Sequence, residues 1–323
     1  MGCVALAYMM LTAASCKKKN DATISSEEIE APVGPKFNAD SAYAYCAAQC
    51  EFGPRTMNSD AHEKCGKWIA EQFTRMGCEV ELQQGALTGY DGTMLNSTNI
   101  IARHHPNATR RILLCAHWDS RPWADNDPDE ANWRKPIIAA NDGASGVAVM
   151  LEVARLLSLT DSLDLGVDFV CFDAEDWGIP QWENRHDENS WALGAQYWAR
   201  NYKFKGAKPQ FGILLDMVGG QGAQFHQEAF SKSYAPAIVR KVWNAAESVG
   251  YGSYFIRQDG GGVTDDHIPV NQAGIPTIDI IPYYPSGSFC PTWHTVNDDM
   301  AHIDINTLRA VGQTIIQVIF SCK

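Results

Sequence analysis

Five short polar segments carry the residues of this chain that could do chemistry together. The segments are His117-Trp118-Asp119, Asn141-Asp142-Gly143, Glu175-Asp176, Leu215-Asp216 and Trp293-His294-Thr295. Carboxylate and imidazole groups are zinc ligands in proteins, and a catalytic zinc site keeps one coordination position open. Asp142, Asp176 and His294 would supply two carboxylates and one imidazole. The sequence therefore predicts a zinc site with these three ligands.

Glu175 is predicted to act beside the metal rather than on it. It directly precedes the predicted ligand Asp176, so its side chain points elsewhere, where a carboxylate with a shifted pKa can serve as a general base. Taken alone, Asp142 would be a helix cap and Glu175-Asp176 a solvated loop. The combination with the other segments favours a single site.

Alternating strands and helices are predicted to position these segments. Three apolar runs typical of buried strands each end at polar residues, namely 111–116 at His117, 167–172 at Asp173 and Glu175, and 211–215 at Asp216. Helices are predicted near residues 60–76, 143–158, 191–201, 234–249 and 305–321. Such alternation predicts an α/β fold of three layers (α/β/α), in which the central sheet is mixed and mostly parallel. Ligands bind beyond the carboxyl ends of strands in such sheets, where the polar residues lie.

Composition limits the classes of partner. The chain has 323 residues, 45% of them hydrophobic, which is typical of a globular protein with a sizeable core. Its formal net charge of −12 argues against nucleic acid and anionic membrane surfaces as partners. No cysteine is assigned to the chemistry, and disulfide pairing cannot be read from the sequence.

The first residues are typical of an export signal. Residues 1–15 contain an apolar run too short for a membrane span and end in small residues before Cys16, which resembles the lipobox of bacterial lipoproteins. We therefore expect a signal peptide at 1–15, lipidation of Cys16, a flexible tether at 16–37 and one catalytic domain at 38–323. This organisation predicts a protein of the bacterial periplasm or cell envelope, held to the membrane only by its lipid.

In this order, the five segments resemble the metal-site motifs of the zinc aminopeptidase superfamily. More narrowly, Asp265-Asp266-His267-Ile268-Pro269 and Trp293-His294-Thr295 resemble animal-type glutaminyl-peptide cyclotransferases, also called glutaminyl cyclases, and their bacterial relatives. The resemblance runs from about residue 40 to the C-terminus. It implies a zinc exopeptidase-like fold and a zinc-dependent acyltransferase, which converts the N-terminal glutamine of peptides or proteins to pyroglutamate and releases ammonia.

The resemblance also implies roles for individual residues. One catalytic zinc would be held by Asp142, Asp176 and His294, while Glu175 would carry the proton from the α-amine to the leaving ammonia. Asp216 and Asp265 would form an acidic hydrogen-bond chain with Glu175. The pocket wall for the substrate would consist of Trp293, Trp182, Ile281 and Phe289. Two positions depart from the animal pattern, since Asp176 replaces a longer Glu and Asp279 replaces a His.

Two alternatives remain at this stage. In a two-zinc aminopeptidase, His117 and Asp216 would bind a second ion together with Asp142, and Glu175 would activate a bridging water. Asp265-Asp266-His267, and a Trp directly before His294, favour the cyclase over this reading. The other alternative is a surface lipoprotein that binds peptides without turning them over.

Overall fold

The computed structural model describes residues 31–160 and 163–322. The helices are α1 (Ala39–Cys50), α2 (Asp60–Arg75), α3 (Ala144–Ser158), α4 (Leu193–Asn201), α5 (Ala229–Tyr234), α6 (Pro236–Ser248), α7 (His267–Gln272) and α8 (Ile305–Phe320). The strands are β1 (Glu79–Thr88), β2 (Met94–His104), β3 (Arg111–His117), β4 (Gly166–Phe172), β5 (Gly212–Leu215), β6 (Phe225–Gln227), β7 (Phe255–Asp259) and β8 (Thr277–Ile280). The predicted signal peptide and Cys16 lie outside the described residues.

The central sheet is mixed, as predicted. Its strand order is β1-β2-β4-β3-β5-β8. Strand β2 runs antiparallel to both of its neighbours, whereas β4, β3, β5 and β8 are parallel to one another. Strands β6 and β7 form a separate parallel pair. The parallel half brings the carboxyl ends of four strands to one edge of the sheet.

Helices cover the sheet on both faces, which explains the unbroken apolar runs. Every residue of β3 is buried. Ile112, Leu114 and Ala116 point into the larger core, which α1, α2, α3, α6 and α8 build against one face. Leu113 and Cys115 point into a smaller core on the other face, under α4 and α7. Because neither face of β3 meets water, its sequence does not alternate between apolar and polar residues.

The folded domain begins before residue 38. The sequence predicted that residues 16–37 form a flexible tether, but residues 33–37 pack against helix α8. The backbone N–H of Val33 donates to Oε1 of Gln317 at 2.7 Å. The ring of Phe37 is 2% exposed and lies against Gly312, where an added Cβ would come within 2.3 Å of the ring. Residues 33–37 therefore belong to the folded domain, because α8 offers them side-chain acceptors and a glycine recess.

The sequence pattern did not predict the two short helices α5 and α7. Helices α5 and α7 have six residues each, less than two full turns, so they carry too little periodicity to be recognised.

All cysteines within residues 31–160 and 163–322 are free thiols. No helix in this part of the chain is long and apolar enough to cross a membrane.

Candidate active site

The predicted segments meet at the carboxyl edge of the parallel strands. His117 is the last residue of β3, and Asp216 directly follows β5. Glu175 lies three residues beyond the end of β4. All three are at most 9% exposed, so their polar groups face one another in a buried space rather than bulk water.

The loop that carries Asp142 is held by another carboxylate, that of Asp298. The backbone N–H groups of Asn141 and Asp142 donate to the two oxygens of Asp298 at 2.7 and 3.0 Å. Gly143 then turns the chain into α3 with a φ of 105°, a conformation that L side chains rarely adopt. An added Cβ there would also lie 2.6 Å from the carbonyl oxygen of Asp119. The loop geometry therefore requires glycine directly after Asp142.

The Glu175-Asp176 pair is held in the same way by Asp119. Its two carboxylate oxygens accept the backbone N–H groups of Glu175 and Asp176, each at 3.1 Å. Ala174 has a φ of 53°, so the chain turns sharply as it leaves β4. This anchoring fixes the backbone from which one carboxylate reaches the metal ligands and the other the cavity.

Asp142, Asp176 and His294 come together as predicted. One ligand atom from each lies within 4.8 Å of the others. Nε2 of His294 is 3.4 Å from Oδ2 of Asp142 and 3.2 Å from Oδ1 of Asp176. Asp176 therefore reaches the ligand set despite its shorter side chain. Oδ2 of Asp142 and Oδ2 of Asp176 are buried without a hydrogen-bond partner among the described residues, as expected of oxygens that bind a metal. This donor set fits zinc.

A second group with ligand geometry shares Asp142. Nε2 of His117 lies 3.0 Å from Oδ1 of Asp142 and 3.2 Å from Oδ1 of Asp216. Burial acts to lower the pKa of His117, but the neighbouring carboxyl groups of Asp119, Asp142 and Asp216 outweigh burial and raise it well above the usual value. Nε2 of His117 thus lies between the carboxyl groups of Asp142 and Asp216, and a neutral imidazole has the geometry of a ligand for a second ion.

Arg121 and Asp125 contact two of the candidate metal ligands, Asp176 and His294, on the side away from the cavity. Nε and Nη2 of Arg121 each donate to Asp125 at 2.7 Å, and its Nη1 donates to Asp176 at 3.2 Å. Nδ1 of His294 lies 3.5 Å from Oδ1 of Asp125. The guanidinium group therefore neutralises part of the buried negative charge, and Asp125 orients the imidazole of His294.

Glu175, Asp216 and Asp265 line the cavity in front of these ligands. Burial is the largest cause that raises the pKa of each of them, and it raises the pKa of Asp216 to about 7. Asp265 raises the pKa of both other groups through its charge. The three carboxyl groups therefore titrate together and hold protons more tightly than exposed acids do.

Asp265 continues into a buried acidic group behind the cavity. Its carboxyl group is in hydrogen-bond contact with that of Asp279, at the position where the animal enzymes have His. Both oxygens of Asp279 lack a donor among the described residues, and a proton shared between the two carboxyl groups satisfies one of them. Nε2 of His267 lies 3.4 Å from Glu228, which completes the buried chain.

An aromatic wall encloses one side of a cavity of about 280 Å³. The predicted wall residues Trp293, Ile281 and Phe289 line this cavity, together with Tyr283 and Trp191. Trp191 stacks on His294 at 6.0 Å with an interplanar angle of 11°. Trp182 is placed elsewhere, because it stacks on Trp133 at 6.3 Å and on Arg134. The cavity therefore has an acidic floor and an apolar, aromatic wall.

Several residues of the site were not predicted from the sequence. Trp191 had no motif around it, and only the fold brings it onto His294. Asp298 follows His294 by four residues, and Asp125 follows Arg121 by four. Their position close to predicted site residues in the sequence indicated a role in the site. Acidic residues are so common in polar loops, however, that this position alone could not identify them.

Asp216→Asn is expected to flatten the pH dependence of stability in the metal-free protein. The unfolded pKa of an Asp is about 3.9, so the folded state holds a proton that the unfolded state releases. The stability from this group is full below about pH 4 and is lost as the pH rises through about 7. Thermal unfolding of EDTA-treated protein across that range measures this slope.

The control for this measurement is Asp60→Asn, whose side chain is 94% exposed. Its slope should equal that of the parent protein. An unchanged slope in Asp216→Asn would show that Asp216 does not take up a proton on folding.

Comparison with known proteins agrees with this geometry. Residues 99–319 match the model of peptidase family M28. The crystal structure of a glutaminyl cyclase from Bacteroides thetaiotaomicron, bound to N-acetylhistamine, is 50% identical, with a TM-score of 0.88. The match covers 90% of this chain and 100% of that chain. The resemblance to glutaminyl cyclases, predicted from the motifs, is confirmed.

Curated relatives include both an aminopeptidase and a cyclase. Aminopeptidase YwaD of Bacillus subtilis is 28% identical over 71% of this chain and 45% of its own length. The glutaminyl-peptide cyclotransferase of Gloydius blomhoffii is 27% identical over 68% of this chain and 64% of its own length. The matched region thus spans less than two thirds of either curated relative. The family model covers most of this chain, and the chain belongs to peptidase family M28.

Proposed function

We propose that this protein is a zinc-dependent glutaminyl-peptide cyclotransferase, which cyclises the N-terminal glutamine of peptides or proteins to pyroglutamate. The observation that carries the proposal is the cavity itself. It places the candidate metal ligands Asp142 and His294 in one cavity with the buried carboxyl group of Glu175 and with Trp293, whose ring stacks on His294 at 3.9 Å. The glutaminyl cyclase of Bacteroides thetaiotaomicron, which is 50% identical in sequence and has the same fold, supports this proposal.

Asp142, Asp176 and His294 would hold the zinc ion. When bound, it would supply a Lewis acid for the γ-carbonyl oxygen of glutamine and stabilise the negative charge that develops there. We expect one ion per chain, with His117 and Asp216 left to hydrogen-bond with each other and with Asp142.

Glu175 would transfer the proton. The α-amine of the substrate forms a new C–N bond with the carbonyl carbon (Cδ) of its own side-chain amide, and the bond from that carbon to the amide nitrogen breaks. Glu175 takes the proton that the amine loses and delivers it to the departing ammonia. Burial raises the pKa of Glu175 well above its usual value, which makes its carboxylate a stronger base than an exposed one. Asp216 and Asp265 share protons with this site and position the γ-amide.

The wall of the cavity would fold the substrate and exclude water. Since the nucleophile already belongs to the substrate, catalysis depends mainly on holding the side chain in a ring-like conformation. Trp293, Phe289 and Ile281 supply apolar surface for this purpose. Exclusion of water also prevents hydrolysis of the amide, which would yield glutamate instead of pyroglutamate.

A two-zinc aminopeptidase is the second candidate function. The specific observation in its favour is the ligand geometry of His117, Asp142 and Asp216. The identity to a glutaminyl cyclase, at nearly full coverage, favours the cyclase. A peptide-binding lipoprotein without turnover is disfavoured, because binding alone does not require a buried acid beside a metal site.

The product distinguishes these functions. Incubation of the purified protein with a Gln-initiated peptide should yield a peptide that is lighter by one ammonia, and metal analysis should give about one zinc per chain. Loss of a whole N-terminal residue together with about two zinc ions would instead establish the aminopeptidase. An unchanged peptide in the presence of bound zinc would leave only the binding function.

Glu175→Gln should give a folded, zinc-loaded and nearly inactive protein. The amide keeps the size of the side chain but cannot accept the proton, so kcat should fall by about 10²- to 10⁴-fold. Ammonia release measures the rate, and metal analysis and thermal unfolding check the zinc and the fold. Glu183→Gln is the matched control, since Glu183 pairs with Arg185 at 3.5 Å and does not line the cavity. Near-normal turnover in Glu175→Gln would exclude Glu175 as the base.

We also propose that the protein is exported and anchored in a bacterial cell envelope through lipidated Cys16. The support is the short apolar run with small residues directly before Cys16. In the full chain, Cys16→Ser should abolish incorporation of a labelled fatty acid and move the protein from the membrane to the soluble fraction. Retention of the label in Cys16→Ser would refute the anchor at this residue.

A further inference from the structure

A second cavity adjoins the catalytic one. It has a volume of about 490 Å³ and lies between the loop before α4, helix α4 and helix α7. The residues that line both cavities are Glu188, Trp191, Thr264 and Asp265. The two cavities are therefore neighbours that share a wall, and a chain that leaves the catalytic cavity over Glu188 would reach the second one.

A peptide substrate needs such an exit. Its α-amine and γ-amide are bound at the floor of the catalytic cavity, so the backbone carbonyl of the glutamine points towards the mouth. At the mouth, the residues that line the cavity include His186, Glu188 and Thr264. Glu188 is therefore within reach of the residue that follows the glutamine.

Glu188 is held in place and charged. Its Oε1 lies 2.7 Å from Nε2 of His186, and its side chain is 56% exposed. The hydrogen bond with Thr264 is the largest cause that lowers its pKa, so the group is ionised at neutral pH. Arg185 faces away over the ring of Tyr90 at 5.2 Å, and Arg200 lines the second cavity from α4, where it bonds Gln196 at 3.4 Å. The ion-pair partner of Glu188 among the described residues is His186.

We propose that the second cavity holds the residues that follow the N-terminal glutamine, and that Glu188 selects peptides with lysine or arginine at the second position. This inference rests on the proposed function. A cationic side chain at position two would pair with Glu188, and the residues after it would lie against the half-apolar surface of α4 and α7. The negative net charge of the chain, −12, also attracts cationic peptides.

The first test compares peptides of equal length that begin Gln-Lys, Gln-Ala or Gln-Glu. The parent protein should cyclise the Gln-Lys peptide with a kcat/KM about 2- to 5-fold above that of the Gln-Ala peptide, which is the effect of one exposed ion pair. The Gln-Glu peptide should be slower than both. The preference should reside mainly in KM and should shrink at high ionic strength, because salt screens exposed charges.

Two variants assign the preference to Glu188. In Glu188→Gln the ratio of the Gln-Lys to the Gln-Ala peptide should fall to about one, and in Glu188→Lys the order of the charged peptides should reverse. Glu183→Gln, on the same loop but lining neither cavity, should keep the parent ratios. An unchanged ratio in Glu188→Gln would overturn the role of Glu188.

A third variant tests the second cavity. Gln272 is exposed at the end of α7 and lines this cavity only. Gln272→Trp should fill the space, raising KM for a pentapeptide more than for Gln-Ala-amide, which is too short to enter. Equal effects on both substrates would overturn the placement of the peptide. If no Gln-initiated peptide released ammonia, the proposed function itself would fail, whereas cyclisation at equal rates for all peptides would refute only this inference.

Discussion

Buried negative charge is the constraint on which this site depends. Five carboxyl groups line or flank one small cavity and are at most 9% exposed, namely Asp142, Glu175, Asp176, Asp216 and Asp265. Isolated charges cannot be buried at this density, so each one needs a cation or a proton. The ligand geometry of Asp142 and Asp176 provides for a metal ion, Arg121 and His117 provide positive charge, and raised pKa values let the remaining acids keep protons. A bound metal ion and bound protons thus both balance the buried negative charge of these carboxyl groups.

Two carboxylates that do not line the cavity give the site its shape. Asp119 accepts the backbone N–H groups of Glu175 and Asp176, and Asp298 accepts those of Asn141 and Asp142. In both cases one carboxylate spans two consecutive amides next to a residue with positive φ, Ala174 in one loop and Gly143 in the other. Two backbone hydrogen bonds to a buried carboxylate therefore hold each loop at the residues that it presents to the cavity. Such anchoring is what a site that must fold a substrate back on itself requires.

The surroundings of the ligands, more than the ligands themselves, separate the cyclase from a hydrolase. Every residue that a two-zinc peptidase would use is present at the sheet edge, including His117 and Asp216. Trp293 and Phe289 line the same cavity as Glu175 and give it an apolar, aromatic wall. A dry pocket favours attack by an amine that the substrate already carries. In the proposed reaction, these apolar side chains would therefore favour cyclisation over hydrolysis.

The sequence alone determined the sheet, the order of its helices and the identity of the charged residues at its carboxyl edge. It could do so because long apolar runs and helical periodicity are local, and because His, Asp and Glu directly after a strand can point only towards that edge. The tertiary structure decided which other side chains join them. Trp191 and not Trp182 lines the cavity, Asp125 and Asp298 support the candidate ligands, and Phe37 packs into the recess at Gly312. These contacts join positions far apart in the chain or loops without periodicity, so no local pattern encodes them, and only the packing of the whole domain selects them.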